Sequence, residues 1–224
     1  MASFIRWAAL AGLFLLAACS DESSAPTAAR PAAADPVATP RPVGDERLIV
    51  AFGDSLYAGY GLGKDQSLPA RLESELRQAG INADTSAAGR QRLSFTMDGL
   101  RRAPDLVILG LGGNDALRQL PAAETRREMT AMLDELKRRK IPVLLTGMRA
   151  PPNLGPDYAA AFERIWPDLA KQYGAGLYPF ILDGVITDPA LMQRDGVHPT
   201  AGGVERMAKG IAPLAIQALP ARTP

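Results

Sequence analysis

One cysteine and one histidine stand among the 224 residues of this chain. A lone cysteine, Cys19, excludes any intrachain disulfide. A lone histidine, His198, means that imidazole chemistry, if the chain uses it, has a single possible carrier. An excess of one charge is also missing: 25 Lys and Arg stand against 24 Asp and Glu, leaving +1. The cations are scattered among acids, so no nucleic-acid surface is indicated. The run Lys137-Arg138-Arg139-Lys140 closes a helical pattern just before Pro142 and reads as cations at a helix C-terminus. The N-terminal apolar stretch Trp7 to Ala18 falls short of the roughly 20 residues that span a bilayer. No internal repeat is visible.

That stretch follows Met1-Ala2-Ser3-Phe4-Ile5-Arg6, with one positive charge, and reads as a secretory signal. Its end, Leu16-Ala17-Ala18-Cys19, resembles the bacterial lipobox, in which cleavage before the cysteine leaves that residue to carry lipid. An ordinary cleaved signal with an incidental cysteine is the alternative. Residues 20–46 are rich in Ala, Pro, Ser and Thr without apolar periodicity, the composition of an extended tether. The expected organisation is a signal over 1–18, a lipidated Cys19 with its tether over 19–46, one domain over 47–219 and a tail over 220–224. Ser20 after the cysteine, with no aspartate there, points to the outer membrane and a periplasmic domain in a bacterial envelope.

From Arg47 onward, short apolar runs alternate with helical periodicity, which predicts an α/β domain with a parallel sheet covered by helices. Strands are expected at Leu48 to Phe52, Leu106 to Leu111, Val143 to Thr146 and Leu177 to Ile181. A helix is expected from Pro69 to Ala79, stopped by Gly80. Another spans Ala122 to Lys140, where Met129, Met132, Leu133 and Leu136 form one face and fill core. A third opens near Pro156 and Asp157 and carries Tyr158, Phe162, Ile165, Trp166 and Leu169. A last helix runs from about Gly203 to Leu219, interrupted by Pro213.

Sheets of this kind bind ligands beyond the carboxyl ends of their strands. The first strand leads into Gly53-Asp54-Ser55-Leu56, which places a serine hydroxyl at such an end. A serine is a weak nucleophile until a base takes its proton. His198 is the one imidazole base, and Asp195, three residues earlier, can orient its ring and stabilise the imidazolium. The second long strand leads into Gly112-Gly113-Asn114-Asp115, where Asn114 offers a neutral amide donor suited to an oxyanion. Asp54 reads as a turn-holder that accepts nearby backbone N–H groups. The Met148 to Asp157 segment, with three prolines, reads as a stiff loop at the rim.

Together Gly53-Asp54-Ser55-Leu56, Gly112-Gly113-Asn114-Asp115 and Asp195-Gly196-Val197-His198-Pro199 resemble the first, third and fifth blocks of the GDSL, or SGNH, hydrolases. The strings Ser55 to Leu62, Leu111 to Arg118 and Gly147 to Asn153 are similar to the bacterial arylesterase and multifunctional thioesterase/lysophospholipase branch. The resemblance covers about Arg47 to Leu219. It implies a three-layer α/β/α sandwich of flavodoxin-like order, with Ser55 as nucleophile, His198 as base and Asp195 as its partner. It further implies an oxyanion hole of the Ser55 N–H and Asn114, and an acyl pocket shaped by the Met148 loop.

The family's second block carries a glycine whose N–H is a third oxyanion donor. Here Asn82-Ala83-Asp84-Thr85-Ser86-Ala87-Ala88-Gly89 stands in its place, so Ala83 or Gly89 would have to donate. Too few residues separate Ala83 from Gly80 for a full strand of about five residues. Either residues 81–86 form an abbreviated strand or the sheet loses that element, an edge being one place for the loss. The reading is a serine esterase acting through an acyl-enzyme on aryl or alkyl esters, thioesters or lysophospholipids. It needs no metal or organic cofactor. Its partners are a small ester or lipid substrate and the membrane that holds its anchor, and the sequence specifies no oligomeric state. Two alternatives stand beside it: O-deacetylation of an envelope polysaccharide, and a catalytically impaired binding lipoprotein.

Overall fold

The computed structural model describes residues 47–76, 79–81 and 85–221. Cys19, the tether and Ala83 lie outside the described residues. Five parallel strands form one sheet in the order β2-β1-β3-β4-β5. They are β1 (Ile49–Gly53), β2 (Ala79–Ile81), β3 (Leu106–Gly110), β4 (Val143–Thr146) and β5 (Gly176–Tyr178). Strands β1, β3 and β4 are buried along their whole length, which is why they read as unbroken apolar runs in the sequence.

Helices cover both faces. On one, α2 (Leu68–Leu76) packs against α8 (Ala201–Ala218); on the other lie α3 (Ser86–Asp98), α5 (Ala122–Arg138), α6 (Pro156–Glu163) and α7 (Ile165–Tyr173). Right-handed crossovers account for this division, because the chain steps outward from β1 to β2 and then returns past β1 to β3, β4 and β5. Two short helices, α1 (Ser55–Ala58) and α4 (Gly113–Leu117), sit directly after β1 and β3. The architecture is the three-layer α/β/α sandwich expected.

Several boundaries depart from expectation, each for a local reason. Helix α2 ends at Leu76, and Ala79, Gly80 and Ile81 pair with Val50, Ala51 and Phe52. Gly80 is therefore a strand residue and not the helix stop. The second strand survives in three-residue form at the sheet edge, where the exposed ladder groups of β1 are satisfied by a short partner. Strand β5 ends at Tyr178 because Pro179 follows, and a proline has no N–H to continue a ladder. The helix expected from Pro156 is two helices: Pro167 cannot donate to the Glu163 carbonyl, and the break falls at Arg164. The apolar stripe still holds, with Phe162, Ile165, Trp166 and Leu169 all buried.

Pro213 acts in the opposite sense. Helix α8 runs through it without interruption, one hydrogen bond short. Its buried face, Val204, Met207, Ala208, Ile211, Ala212 and Ala215, packs on the sheet and offsets that loss. The α5 face of Met129, Met132, Leu133 and Leu136 is buried as expected, and the helix stops two residues early, before Lys140 with its φ of 58°.

Candidate active site

Ser55 is the first residue of α1, just past the end of β1. Gly53 and Gly110 end neighbouring strands in register, and the ring of Tyr57 lies over both. A Cβ on Gly53 would stand 2.2 Å from that ring, and one on Gly110 2.4 Å from its hydroxyl oxygen. Only glycine lets the sheet end this close to α1. The buried Tyr57 hydroxyl is hydrogen-bonded to Thr146 Oγ1 at 2.8 Å, which pins α1 to β4, and burial holds the phenol well above its ordinary pKa.

Asp54 caps the helix: its Oδ1 accepts the Leu56 N–H at 3.0 Å, and its carbonyl accepts those of Tyr57 and Ala58. This is the turn-holding task read from the sequence. As the first helical residue, Ser55 has an N–H with no intrahelical acceptor.

His198 reaches Ser55 from a tight loop 143 residues later. Met192 bridges Pro199, the Gln193 N–H donates to the His198 carbonyl at 2.7 Å, and the Thr200 N–H donates to the Leu191 carbonyl at 2.8 Å. Gly196, at a φ of 69°, permits the turn between Asp195 and His198. Asp195 divides its oxygens: Oδ1 accepts the backbone N–H groups of Val197 at 2.9 Å and His198 at 3.0 Å, while Oδ2 lies 2.7 Å from His198 Nδ1.

These bonds, first the His198 backbone N–H, then the ring and the Val197 N–H, hold the carboxyl down at about 2. An ionised carboxylate only accepts, so Nδ1 carries the proton and Nε2 presents its lone pair. Ser55 Oγ lies 2.9 Å from Nε2 and donates to it. The three side chains named from the sequence thus form one chain of hydrogen bonds, open to solvent on the Asp195 side.

The Asn114 turn stands beside Ser55. It leaves β3 through Gly112, whose φ of 110° excludes a side chain, and a Cβ there would also meet Trp166 at 2.9 Å. A Cβ on Gly113 would lie 3.6 Å from Asp54 Oδ2, so the two strand-end turns touch. Asp115, one residue past Asn114, is buried and accepts from the Ser86 N–H at 2.9 Å, the Ser86 hydroxyl and the Thr125 hydroxyl at 3.1 Å. It moors the Asn114 turn to α3 and α5. Sequence reading missed it, because an aspartate in a turn carries no mark of partners 29 and 10 residues away.

Gly89, one of the two candidate third donors, has its N–H directed along the helix axis of α3. It sits inside α3, its N–H is committed to the Thr85 carbonyl at 2.9 Å, and its missing Cβ makes room for Leu111. The Met148 loop begins at the site: the buried Met148 approaches Gly113, and the Arg149 guanidinium stacks on Phe180 at 4.7 Å. Tyr60, 62% exposed and two residues past α1, and Leu117, 51% exposed and the last residue of α4, are apolar surface. A cleft of about 670 Å³ lies at the other end of the sheet, lined by Leu133, Ile141, Leu177 and Leu214, and contains none of these groups. Among the described residues, no cluster of His, Cys, Asp and Glu could hold a metal ion.

Residues 51–206 match the family model described as the GDSL-like Lipase/Acylhydrolase family. The chain is 34% identical over 176 residues to Esterase TesA of Pseudomonas aeruginosa, covering 75% of this chain and 87% of that protein. It is 37% identical over 163 residues to the Arylesterase of Vibrio mimicus, covering 69% and 80%. Among solved structures, AlinE4, a SGNH-hydrolase family esterase, is 49% identical with a TM-score of 0.65, over 80% of this chain and all of that one.

Proposed function

This chain belongs to the GDSL-like lipase/acylhydrolase family and is a serine-dependent ester hydrolase; we propose that Ser55, His198 and Asp195 are its catalytic triad. The carrying observation is the unbroken relay from Asp195 Oδ2 through the imidazole to Ser55 Oγ, at 2.7 and 2.9 Å. His198 takes the Ser55 proton as Oγ attacks the ester carbonyl. The Ser55 N–H and the Asn114 amide receive the negative oxygen of the tetrahedral intermediate. His198 then protonates the leaving group, and water, activated by the same imidazole, releases the acyl-enzyme.

Substrates are aryl or short alkyl esters, thioesters and single-chain lysophospholipids. The apolar Tyr60 and Leu117 beside an open triad suit one acyl or aryl group. The names of relatives, an arylesterase and a thioesterase 1/protease 1/lysophospholipase L1 of Escherichia coli, lie in the same range. Cys19 carries the lipid that holds the domain at the envelope, on the periplasmic side of the outer membrane. Exchanging Cys19→Ser then moves the protein from the membrane fraction to the soluble one.

The test of the reaction is steady-state hydrolysis of p-nitrophenyl acetate, butyrate and octanoate and of lysophosphatidylcholine. Ser55→Ala should lose on the order of 10³-fold or more in kcat on each substrate. Equal turnover by the two proteins would overturn the assignment.

A further inference from the structure

The triad is assembled from two segments far apart in sequence, and its internal bonds leave one distance undetermined. Asp195 fixes the imidazole within its own loop, through contacts spanning at most three residues. That loop must still be held at the right distance from the end of β1. We propose that Gln193 is the positioning residue that does this, on the reading that His198 is the base acting on Ser55.

The Gln193 side chain bonds both segments at once. Its Nε2 donates to the Tyr60 carbonyl at 2.7 Å and to the Pro199 carbonyl at 2.9 Å. Pro199 follows the base. Tyr60 follows α1, and its own N–H donates to the Ser55 carbonyl at 3.2 Å. Both partners are carbonyl oxygens, so the amide must turn its nitrogen to them, and both of its hydrogens are used. The turn is shaped to admit it: Gly61 has a φ of 76°, and a Cβ there would stand 2.8 Å from Gln193 Oε1.

The same bond sets the roof of the base. Fixing the Tyr60 carbonyl places the Tyr60 ring against the imidazole, with centroids 4.6 Å apart and planes at 31°. One face of His198 is covered by an otherwise exposed aromatic ring. Gln193 acts through these contacts on the approach of Nε2 to Oγ, where a misplacement of about 1 Å costs about 10²-fold in rate.

The chain's single histidine makes the claim directly measurable. In full-length protein labelled with ¹⁵N-histidine, every imidazole signal belongs to His198. The wild type should show one Nδ1-protonated tautomer. Gln193→Met keeps the length of the side chain and removes both donors; Gln193→Glu keeps its shape and, when ionised, also has no hydrogen to give. Each should broaden or average the His198 tautomer signals and lower kcat by about 10- to 100-fold with KM within about twofold.

Unchanged imidazole signals in both variants would overturn the proposal, whatever kcat does. So would a loss of more than about 10 °C in Tm, which would assign Gln193 to holding the fold. Absence of ester hydrolysis by the wild type would count against Ser55 as nucleophile and leave the imidazole signals to decide Gln193.

Discussion

The two oxygens of Asp195 have different partners, and this makes one substitution unusually diagnostic. In Asp195→Asn, the two backbone N–H groups at Oδ1 demand the amide oxygen, so the NH₂ must face Nδ1. That forces the proton onto Nε2, which can then no longer accept from Ser55. The expected outcome is a fall in kcat of about 10⁴-fold with the loop intact, checked by kinetics and by the ¹⁵N tautomer of the single histidine. Asn114→Ala should cost about 10²- to 10³-fold in kcat with little change in KM.

Acid titration separates the roles further. The folded pKa of Asp195 is depressed to about 2 from 3.8, so its contribution to stability is fully present above pH 4 and is lost as pH falls from there towards 2. The Tm gap between wild type and Asp195→Ala should be constant above pH 4 and close below it. At this scale the sequence was informative where chemistry restricts residue type: one histidine, an aspartate three residues before it and a serine after a buried strand. Gln193 and Asp115 were not legible, because their partners meet only after folding.

The elements that carry the site are positioned by contacts between strand ends and helices. Asp115→Ala would leave three donors from α3 and α5 without their acceptor, at a cost of about 1–3 kcal/mol for each buried group left unmade. A fall in Tm of about 6 °C or more together with reduced kcat is expected, since the Asn114 turn loses its mooring. Gly110→Ala would drive a Cβ to 2.2 Å from Thr146 Oγ1 and against Tyr57, costing about 1–3 kcal/mol by overpacking, read as a lowered Tm.

Strands β1, β3 and β4 were legible because full burial writes an apolar run. Strand β2 was legible only as an abbreviated segment within 81–86, and its place at Ala79–Ile81 was not, because three residues after a helix carry no periodicity. Pro167 and Pro213 show the limit of residue rules: the same missing N–H splits α6 from α7 yet leaves α8 whole, according to how much buried face each helix has. The short β2 leaves the hydrogen bonds from Asp195 through His198 to Ser55 intact.

Across the whole molecule, the site draws on segments 55–60, 112–115 and 193–199, all within the sheet-bearing part of the chain. Arg47 ties its two ends together, bonding Asp105 at 3.2 Å and the Pro220 carbonyl at 2.8 Å. A chain beginning at Arg47 should therefore keep the kcat of the full protein and, on the proposal that Cys19 carries a lipid, appear only in the soluble fraction, as checked by assay and fractionation. No helix among the described residues is long and apolar enough to cross a membrane.

The fold class was readable from the alternation of elements, and the site from its place beyond strand ends. Whether Ser55 is the nucleophile activated by His198 is decided by intact-mass analysis after reaction with a fluorophosphonate. One adduct per chain is expected, mapped to Ser55, absent in Ser55→Ala and slowed in His198→Ala. Labelling of Ser55→Ala at the wild-type rate, or no adduct on folded wild type, would contradict it.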